Sequence, residues 1–204
     1  MKKYAVLHEP GDIVTLAGTR FVVLDVERRG SLPDSLFLLA LESVGASEFG
    51  SSNNYAESDL KKAVDKWLED MGKRGLDNAK LIPREIDLTT LDGSGCYGKL
   101  SVKAAPLTLD EAREYADIIP NAERWCWLAT GWSGPSKSDG DLALYVSSNG
   151  GWNYSSYCSL SGGIRPALKI PSDLLLDSAD KPDLSEVPTD TLLEEIRRRV
   201  VDKA

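Results

Sequence analysis

The segment from Trp125 to Ile170 restricts the fold more than any other part of this 204-residue chain. It alternates short runs rich in apolar, aromatic and β-branched residues with turns built from Ser, Asn and Gly, which is the pattern of strands joined by tight turns. The Asn149-Gly150 pair is typical of a type I′ hairpin turn, which needs positive φ at both central residues. The segment therefore predicts four strands, at 125–129, 141–147, 152–159 and 164–170.

The first two thirds of the chain predict a hairpin, a third strand and two helices. Apolar runs at 13–16 and 21–26 flank an Ala-Gly-Thr turn, and a third run covers 36–42. Asn54 and Thr108 each begin a capping-box pattern with Glu three residues later. The first helix is expected to start at Asn54, to end near Gly72 and to bury one stripe of side chains, which are Leu60, Val64, Trp67, Leu68 and Met71. The second is expected at 108–119, stopped by a proline.

The C-terminal part differs in composition from everything before it. Residues 171–188 are rich in Asp, Ser and Pro and predict a linker, whereas 189–204 carry an apolar stripe typical of a short amphipathic helix. That helix either docks on its own domain or contacts a partner chain. The predicted organisation is a domain at 1–170, a linker and a C-terminal helix.

Charge and composition exclude several classes of function. The chain has 24 Lys and Arg against 32 Asp and Glu, a net charge of −8, which opposes the counterion release that drives nucleic-acid binding. No apolar run approaches the length of a membrane span, and the N-terminal residues lack the apolar core of a signal peptide. The three cysteines share no CxxC spacing, so we expect free and mostly packed thiols.

Catalytic and metal-binding patterns are weak. His8 is the single histidine and lies beside a proline, and no serine has the surroundings of a nucleophile elbow. One histidine and three scattered cysteines do not match a zinc site, and no cofactor is expected. Asp139 and Asp141 could offer oxygen ligands to calcium, but a solvated acidic turn is the better interpretation, because the full ligand run of an EF-hand is missing.

The composition of the segment 125–170 itself favours binding. Trp and Tyr give rigid contact area, while Ser, Asn and Gly give adaptable hydrogen bonds, as in the binding loops of antibodies. The alternative is that the aromatics fill a small core and the polar residues only form turns. Strand alternation places Asn153, Ser155 and Tyr157 outward if Cys158 is buried. It also places Tyr145 outward and Leu142, Leu144 and Val146 inward.

Four stretches in a fixed order carry a family resemblance. They are GDIVTLAGTRFVVLDV, SSNNYAESDLKKAVDKWL, the region from IDLTTLDGSGCYG through LTLDEAREYADIIP to WCWLAT, and GGIRPALKI. Over residues 11–170 the chain resembles the bacterial and bacteriophage DUF6273 domains, which are similar to the C-type-lectin fold and to the variable proteins of diversity-generating retroelements. The resemblance implies an α+β, C-type-lectin-like fold with a mixed or antiparallel β-sheet and two main helices. Here a C-terminal helix would follow after the linker.

The resemblance also implies where a ligand would bind. In the diversified relatives the variable residues lie just upstream of the terminal Gly-Ile-Arg type of motif, which here corresponds to 136–159. The candidate ligand-binding residues are Trp132, Ser136, Lys137, Ser138, Asp139, Tyr145, Asn149, Trp152, Asn153, Tyr154, Ser155, Ser156, Tyr157 and Ser159.

The expected function is that of a non-enzymatic recognition protein. Its partner would be a protein or glycan on a bacterial surface, and the protein would be made in the cytoplasm and carried on a phage particle or displayed on a surface. One alternative is a structural or assembly protein of a phage particle, in which the same surface makes a fixed subunit interface. The C-terminal helix could also contact other phage subunits or another copy of this chain. Another is a relative of the formylglycine-generating enzymes, which share the fold and would require two adjacent thiols of low pKa.

Overall fold

A computed structural model describes residues 2–4, 8–29, 32–135, 137, 139–151 and 154–178. The two α-helices of these residues are Asp59–Lys73 (α1) and Leu109–Glu114 (α2), and short 3₁₀ turns cover Tyr55–Glu57 and Asn78–Lys80. The strands are Lys2–Tyr4 (β1), Ile13–Leu16 (β2), Thr19–Arg29 (β3), Leu32–Ala40 (β4), Ala46–Glu48 (β5), Arg84–Asp87 (β6), Lys99–Val102 (β7), Ala104–Ala105 (β8), Cys126–Gly131 (β9), Leu142–Val146 (β10), Tyr154–Tyr157 (β11), Ser161–Gly163 (β12), Ala167–Pro171 (β13) and Leu175–Ser178 (β14).

The strands form three sheets. The largest has seven strands in the order β1-β14-β2-β3-β4-β13-β8, the second has the order β11-β10-β9-β12-β5, and β6 pairs with β7 alone. Pairing is antiparallel except between β12 and β9. The chain is therefore a mixed α+β protein that consists mostly of sheet. Within the described residues, no helix has the length and apolar character needed to cross a membrane.

The opening hairpin confirms the predicted turn between β2 and β3. Leu16 pairs with Thr19, so the loop has two residues, Ala17 and Gly18. Both have positive φ, at 47° and 76°, as a type I′ turn requires. Ala17 is the one non-glycine residue with positive φ in the described part of the chain. The tight turn fixes the register that buries Val14 and Phe21 on the same face.

The first helix starts later than the capping pattern at Asn54 predicts. The Asn54 side chain accepts a hydrogen bond from the amide of Ala56 and so caps the 3₁₀ turn. Ser58 is the cap of α1, because its hydroxyl accepts from the amide of Lys61 at 2.9 Å. The prediction of an α-helix from Asn54 is thus wrong by five residues. The predicted stripe is confirmed, since all five of its members are buried.

The second helix carries the predicted capping box in full. The Thr108 hydroxyl accepts from the amide of Glu111, and the Glu111 carboxylate accepts from the amide of Thr108 at 2.8 Å. The helix ends at Glu114 and continues only as turns, so it is shorter than predicted. Glu111 also pairs with the buried Arg84, which ties α2 to β6.

The central strands bury both of their faces. Phe21, Val23 and the α1 stripe belong to one apolar cluster, and Val22, Leu24 and the α2 residues belong to a second. Leu128 and Leu144 of the five-stranded sheet complete the second cluster. Apolar packing on both faces explains the nearly continuous apolar runs in β3 and β4.

The predicted linker begins too early. Residues 175–178 form β14, which lies between β1 and β2 in the large sheet, and Leu176 is fully buried. The boundary at residue 170 is therefore wrong, because a short Leu-rich run forms a strand despite the surrounding Asp, Ser and Pro. Residues 179–204, which include the rest of the linker and the predicted helix 189–204, lie outside the described residues.

The GGIRPALKI stretch closes the domain through close contacts. A Cβ atom at Gly162 would lie 2.3 Å from the Trp125 ring, and one at Gly163 would lie 2.7 Å from the Cys126 sulfur. Arg165 is buried and donates to the carbonyls of Ala40, Leu41 and Pro120. The motif therefore connects the two larger sheets, because β12 belongs to the five-stranded sheet and β13 to the seven-stranded sheet.

Candidate functional site

The structure describes the backbone or side chain of ten of the fourteen predicted ligand-binding residues. Ser136, Ser138, Trp152 and Asn153 lie outside the described residues. Tyr154 is placed in β11, where it pairs with Tyr145, but its side chain is not described. The remaining residues lie on β10, on β11 or in the adjoining loops.

Tyr157, one of the two tyrosines of β11, is exposed to solvent, as strand alternation predicts. Cys158, directly after the strand, is 2% exposed, whereas Tyr157 is 59% exposed. Ser155 and Ser156 are half-buried, and Ser159 is exposed in the following turn. Tyr157 is thus the most accessible large apolar side chain among the described residues.

Strand β10 contradicts the prediction of one inward face. Ala143 and Leu144, on opposite faces, are both buried, while Leu142 and Val146 are half-buried. Tyr145 does not point into solvent, because its ring packs on Trp125 at a centroid distance of 5.0 Å. The reason is that β10 is the second strand of its sheet and has apolar packing on both sides.

The turn after β10 is wider than the Asn149-Gly150 pair predicts. The amide of Gly150 donates to the carbonyl of Ser147, and the amide of Ser147 donates to the carbonyl of Gly151. Gly150 has a φ of 85° but Asn149 does not have positive φ, so the type I′ prediction is wrong. The Asn149 side chain instead pairs with the Ser147 hydroxyl, which stabilises a three-residue loop with one left-handed glycine.

Two further candidates lie between β9 and β10. Trp132 is half-buried against the second apolar cluster, and its amide donates to the carbonyl of Leu142 at 2.9 Å. Asp139 is half-buried, and its carbonyl accepts from the amide of Leu142. Both residues therefore help to position the start of β10, next to Tyr157.

A loop that the sequence does not point to lies against the candidate residues. Lys137 forms an ion pair with Asp92, with 2.7 Å between the ammonium nitrogen and the carboxylate oxygen. The hydrogen bond from Lys137 and a second from Thr90 lower the pKa of Asp92 to about 2. The amides of Leu91 and Asp92 donate to the carbonyls of Gly131 and Trp132. The loop that follows β6 is therefore part of the surface that the candidate ligand-binding residues form.

Asn53 joins three loops beneath this surface. It is 1% exposed, and its side-chain amide donates to the carbonyls of Ser133 and Leu142 at 2.9 and 3.0 Å. Its side-chain oxygen accepts from the Tyr97 hydroxyl at 2.6 Å, and its backbone amide donates to the carbonyl of Gly140. Buried amides with all groups paired fix loop geometry strongly, since a lost partner leaves an unsatisfied polar group.

Gly131 allows this arrangement because it has no side chain. A Cβ atom there would lie 2.8 Å from the Asn53 side-chain carbon and 3.0 Å from its carbonyl oxygen. The network therefore fixes the loops beside the start of β10.

We expect Asn53→Ala to lower the free energy of unfolding by about 2 kcal/mol, because it leaves the Tyr97 hydroxyl and the Ser133 carbonyl without their partner. Tyr97→Phe is the matched control, since it removes one hydrogen bond and should cost about 1 kcal/mol. Urea unfolding followed by tryptophan fluorescence measures both. An Asn53→Ala protein as stable as the wild type would show that the three loops are held by other contacts.

The two buried thiols, Cys126 and Cys158, have pKa shifts opposite to those of activated cysteines. Burial raises the pKa of Cys126, and burial together with nearby Asp141 raises the pKa of Cys158 to about 12. Activated cysteines need the opposite shift. All three cysteines are free, and Cys96 is exposed. Within the described residues, no three His, Cys, Asp or Glu side chains form a group that could hold a metal ion.

His8 is buried and pairs with a residue of its own loop. Its Nδ1 lies 3.2 Å from the Asp12 carboxylate, four residues further along the chain. A cleft of about 560 Å³ lies near the C-terminal end of α1 and is lined by residues that include Arg74, Lys80 and Leu174. Helix α1 has 15 residues, so this cleft and the loops at its N-terminal end are separated by roughly 20 Å.

Comparisons of this chain with family models, curated proteins and solved structures found no match.

Proposed function

We propose that this chain is a non-enzymatic recognition protein with a C-type-lectin-like, DUF6273-type domain. It binds a protein or glycan on a bacterial surface through β11 and the loops beside it, the face that contains residues 136–159. The observation that carries the proposal is Tyr157, a residue that is 59% exposed at one edge of the five-stranded sheet. An exposed aromatic on a rigid frame is the usual energetic centre of a protein-binding surface.

The rigidity of the frame supports the same proposal. The buried Asn53 side chain donates to the carbonyls of Ser133 and Leu142. At the surface, the Lys137–Asp92 ion pair joins the loop before β10 to the loop that follows β6. A pre-ordered face loses little conformational entropy on binding, so its contacts contribute more to affinity. The exposed side chain of Tyr157 suits a macromolecular partner, whereas small ligands are usually enclosed in concave pockets.

We expect the double variant Ser155→Ala, Tyr157→Ala to lose binding to its target while its free energy of unfolding stays within about 0.5 kcal/mol of wild type. The measurement is flow cytometry of the fluorescently labelled chain on a panel of intact bacteria and on purified envelope glycans. The control is Lys66→Ala, Glu69→Ala on the exposed face of α1.

Two results would contradict the proposal. If the double variant unfolds far more easily than wild type, Tyr157 belongs to the core rather than to a binding face. If wild type and double variant label the same cells equally, the recognition surface lies elsewhere on the molecule.

A further inference from the structure

Strand β11 is the last strand of the five-stranded sheet, and within the described part of the chain no strand pairs with its outer side. Natural edge strands are usually protected by Lys, Pro or a bulge, because their unpaired amides and carbonyls attract other strands. The β11 sequence, Tyr-Ser-Ser-Tyr, contains none of these devices. Within the described residues, this outer edge therefore presents main-chain groups with which another extended segment could pair.

The hydrogen-bond pattern shows which groups face outward. The carbonyl of Leu142 accepts from Trp132 and Asn53, on the side of β10 away from β11. The amide of Cys158 donates to the carbonyl of Asp141 at 2.7 Å, whereas its carbonyl accepts from Phe49 and Gly50, so Cys158 directs its amide toward β10. In an antiparallel ladder hydrogen-bonded and non-hydrogen-bonded pairs alternate. Residues 155 and 157, opposite Leu144 and Leu142, thus direct their main chain away from β10.

The outward groups form a short ladder. The amides of Ser155 and Tyr157 and the carbonyl of Ser155 point to the open edge, while the carbonyl of Tyr157 already accepts from Leu160. The Tyr157 ring stands on the face that it shares with its pair partner Leu142. A strand added at this edge would place alternate side chains beside Tyr157, which is the arrangement in which cross-strand pairs stabilise a sheet.

Charge indicates what kind of strand fits. In the loops next to the end of β11, Lys137 is paired with Asp92, and the carboxylate of Asp141 is exposed. The whole chain has a net charge of −8. A second copy paired through β11 would bring two acidic rims together, whereas a segment with Lys or Arg side chains meets a complementary charge.

We propose that β11 binds an extended, basic peptide segment of a partner protein by β-strand addition. This inference rests on the proposed recognition function and specifies its partner class as a protein segment rather than a glycan. Main-chain hydrogen bonds to residues 155 and 157 give the affinity, and the Tyr157 ring with the acidic rim gives the selectivity.

The test begins with selection of a random library of 12-residue peptides on the immobilised full chain. We expect enriched peptides that are basic and free of proline at alternate positions. Fluorescence anisotropy should show that Ser155→Pro weakens their binding at least tenfold more than Ser155→Ala does, because alanine keeps the backbone amide. Proline at this position removes only an outward amide, which edge strands tolerate, so the fold should be retained.

Amide hydrogen exchange by NMR tests the same point without a substitution. On peptide binding, exchange at Ser155 and Tyr157 should slow at least tenfold, whereas the inward amide of Ser156 should be protected before binding as well. Failure to enrich any peptide, or binding without protection of these two amides, overturns strand addition. Protection in the free chain together with a doubled mass in light scattering would assign the edge to a second copy and also overturn it.

The outcomes separate this inference from the proposed function. If target binding requires Tyr157 but is unaffected by Ser155→Pro and leaves the two amides unprotected, the recognition face stands and strand addition is wrong. If binding does not depend on Tyr157 or Ser155 in any form, the recognition face itself is wrong.

Discussion

Arg165→Met should lower the free energy of unfolding by about 4 kcal/mol, the largest effect we expect from a single substitution in this chain. The guanidinium donates to the carbonyl of Ala40 at 2.7 Å, to that of Pro120 at 2.9 Å and to that of Leu41 at 3.0 Å. Methionine fills a similar volume but donates to none of them. Three carbonyls would then be buried without their charged donor, while water cannot easily reach them.

Arg165→Lys keeps the positive charge but removes the planar guanidinium, so it tests the two contributions separately. An ammonium group cannot span three carbonyls in a plane, so we expect a loss of about 2 kcal/mol rather than none. Urea unfolding at low and high salt measures both variants. Since the contacts are buried and go to carbonyls, the difference from wild type should not shrink at high salt. A loss below 1 kcal/mol for the methionine variant would show that the carbonyls find other donors.

Sequence patterns predicted those parts of the fold that depend on contacts between residues close together in the chain. The capping box at Thr108 depends on a side chain and an amide three positions apart, and both reciprocal bonds are present. The stripe of α1 follows from helical spacing alone. The start of α1 is mispredicted for a physical reason, because Asn54 and Ser58 are both good caps and each caps its own element.

The candidate surface depends on contacts that no local pattern contains. Asn53 forms hydrogen bonds with residues 44, 80 and 89 positions away, which no local sequence pattern indicates. The local pattern indicates only its neighbour Asn54, as a helix cap. The ion pair between Asp92 and Lys137 spans 45 positions. Alternation placed Tyr157 correctly, because one side of the edge strand meets solvent. It misplaced Tyr145, because the neighbouring strand is packed on both faces.

Gly162→Ala should lower the free energy of unfolding by about 3 kcal/mol, since overpacking a rigid site forces side chains or backbone to move. The added Cβ would lie 2.3 and 2.6 Å from two atoms of the Trp125 ring and 2.6 Å from the Trp127 ring nitrogen. Trp127 is held in place because that nitrogen donates to the carbonyl of Ser47 at 3.0 Å. Gly95→Ala is the matched control, because a Cβ there meets no atom within 4 Å.

A second substitution tests whether the Trp125 ring causes the loss at Gly162. Trp125 is only half-buried, so Trp125→Leu removes the nearest clashing atoms at a moderate cost of its own. We expect Gly162→Ala to cost at least 1 kcal/mol less in that background than in the wild type, a coupling typical of residues in direct contact. Thermal and urea unfolding of the four proteins measure it. Additive effects would place the strain at Trp127, whose anchored ring then fixes the distance between β9 and β12 and makes glycine at 162 a requirement of the sheet itself.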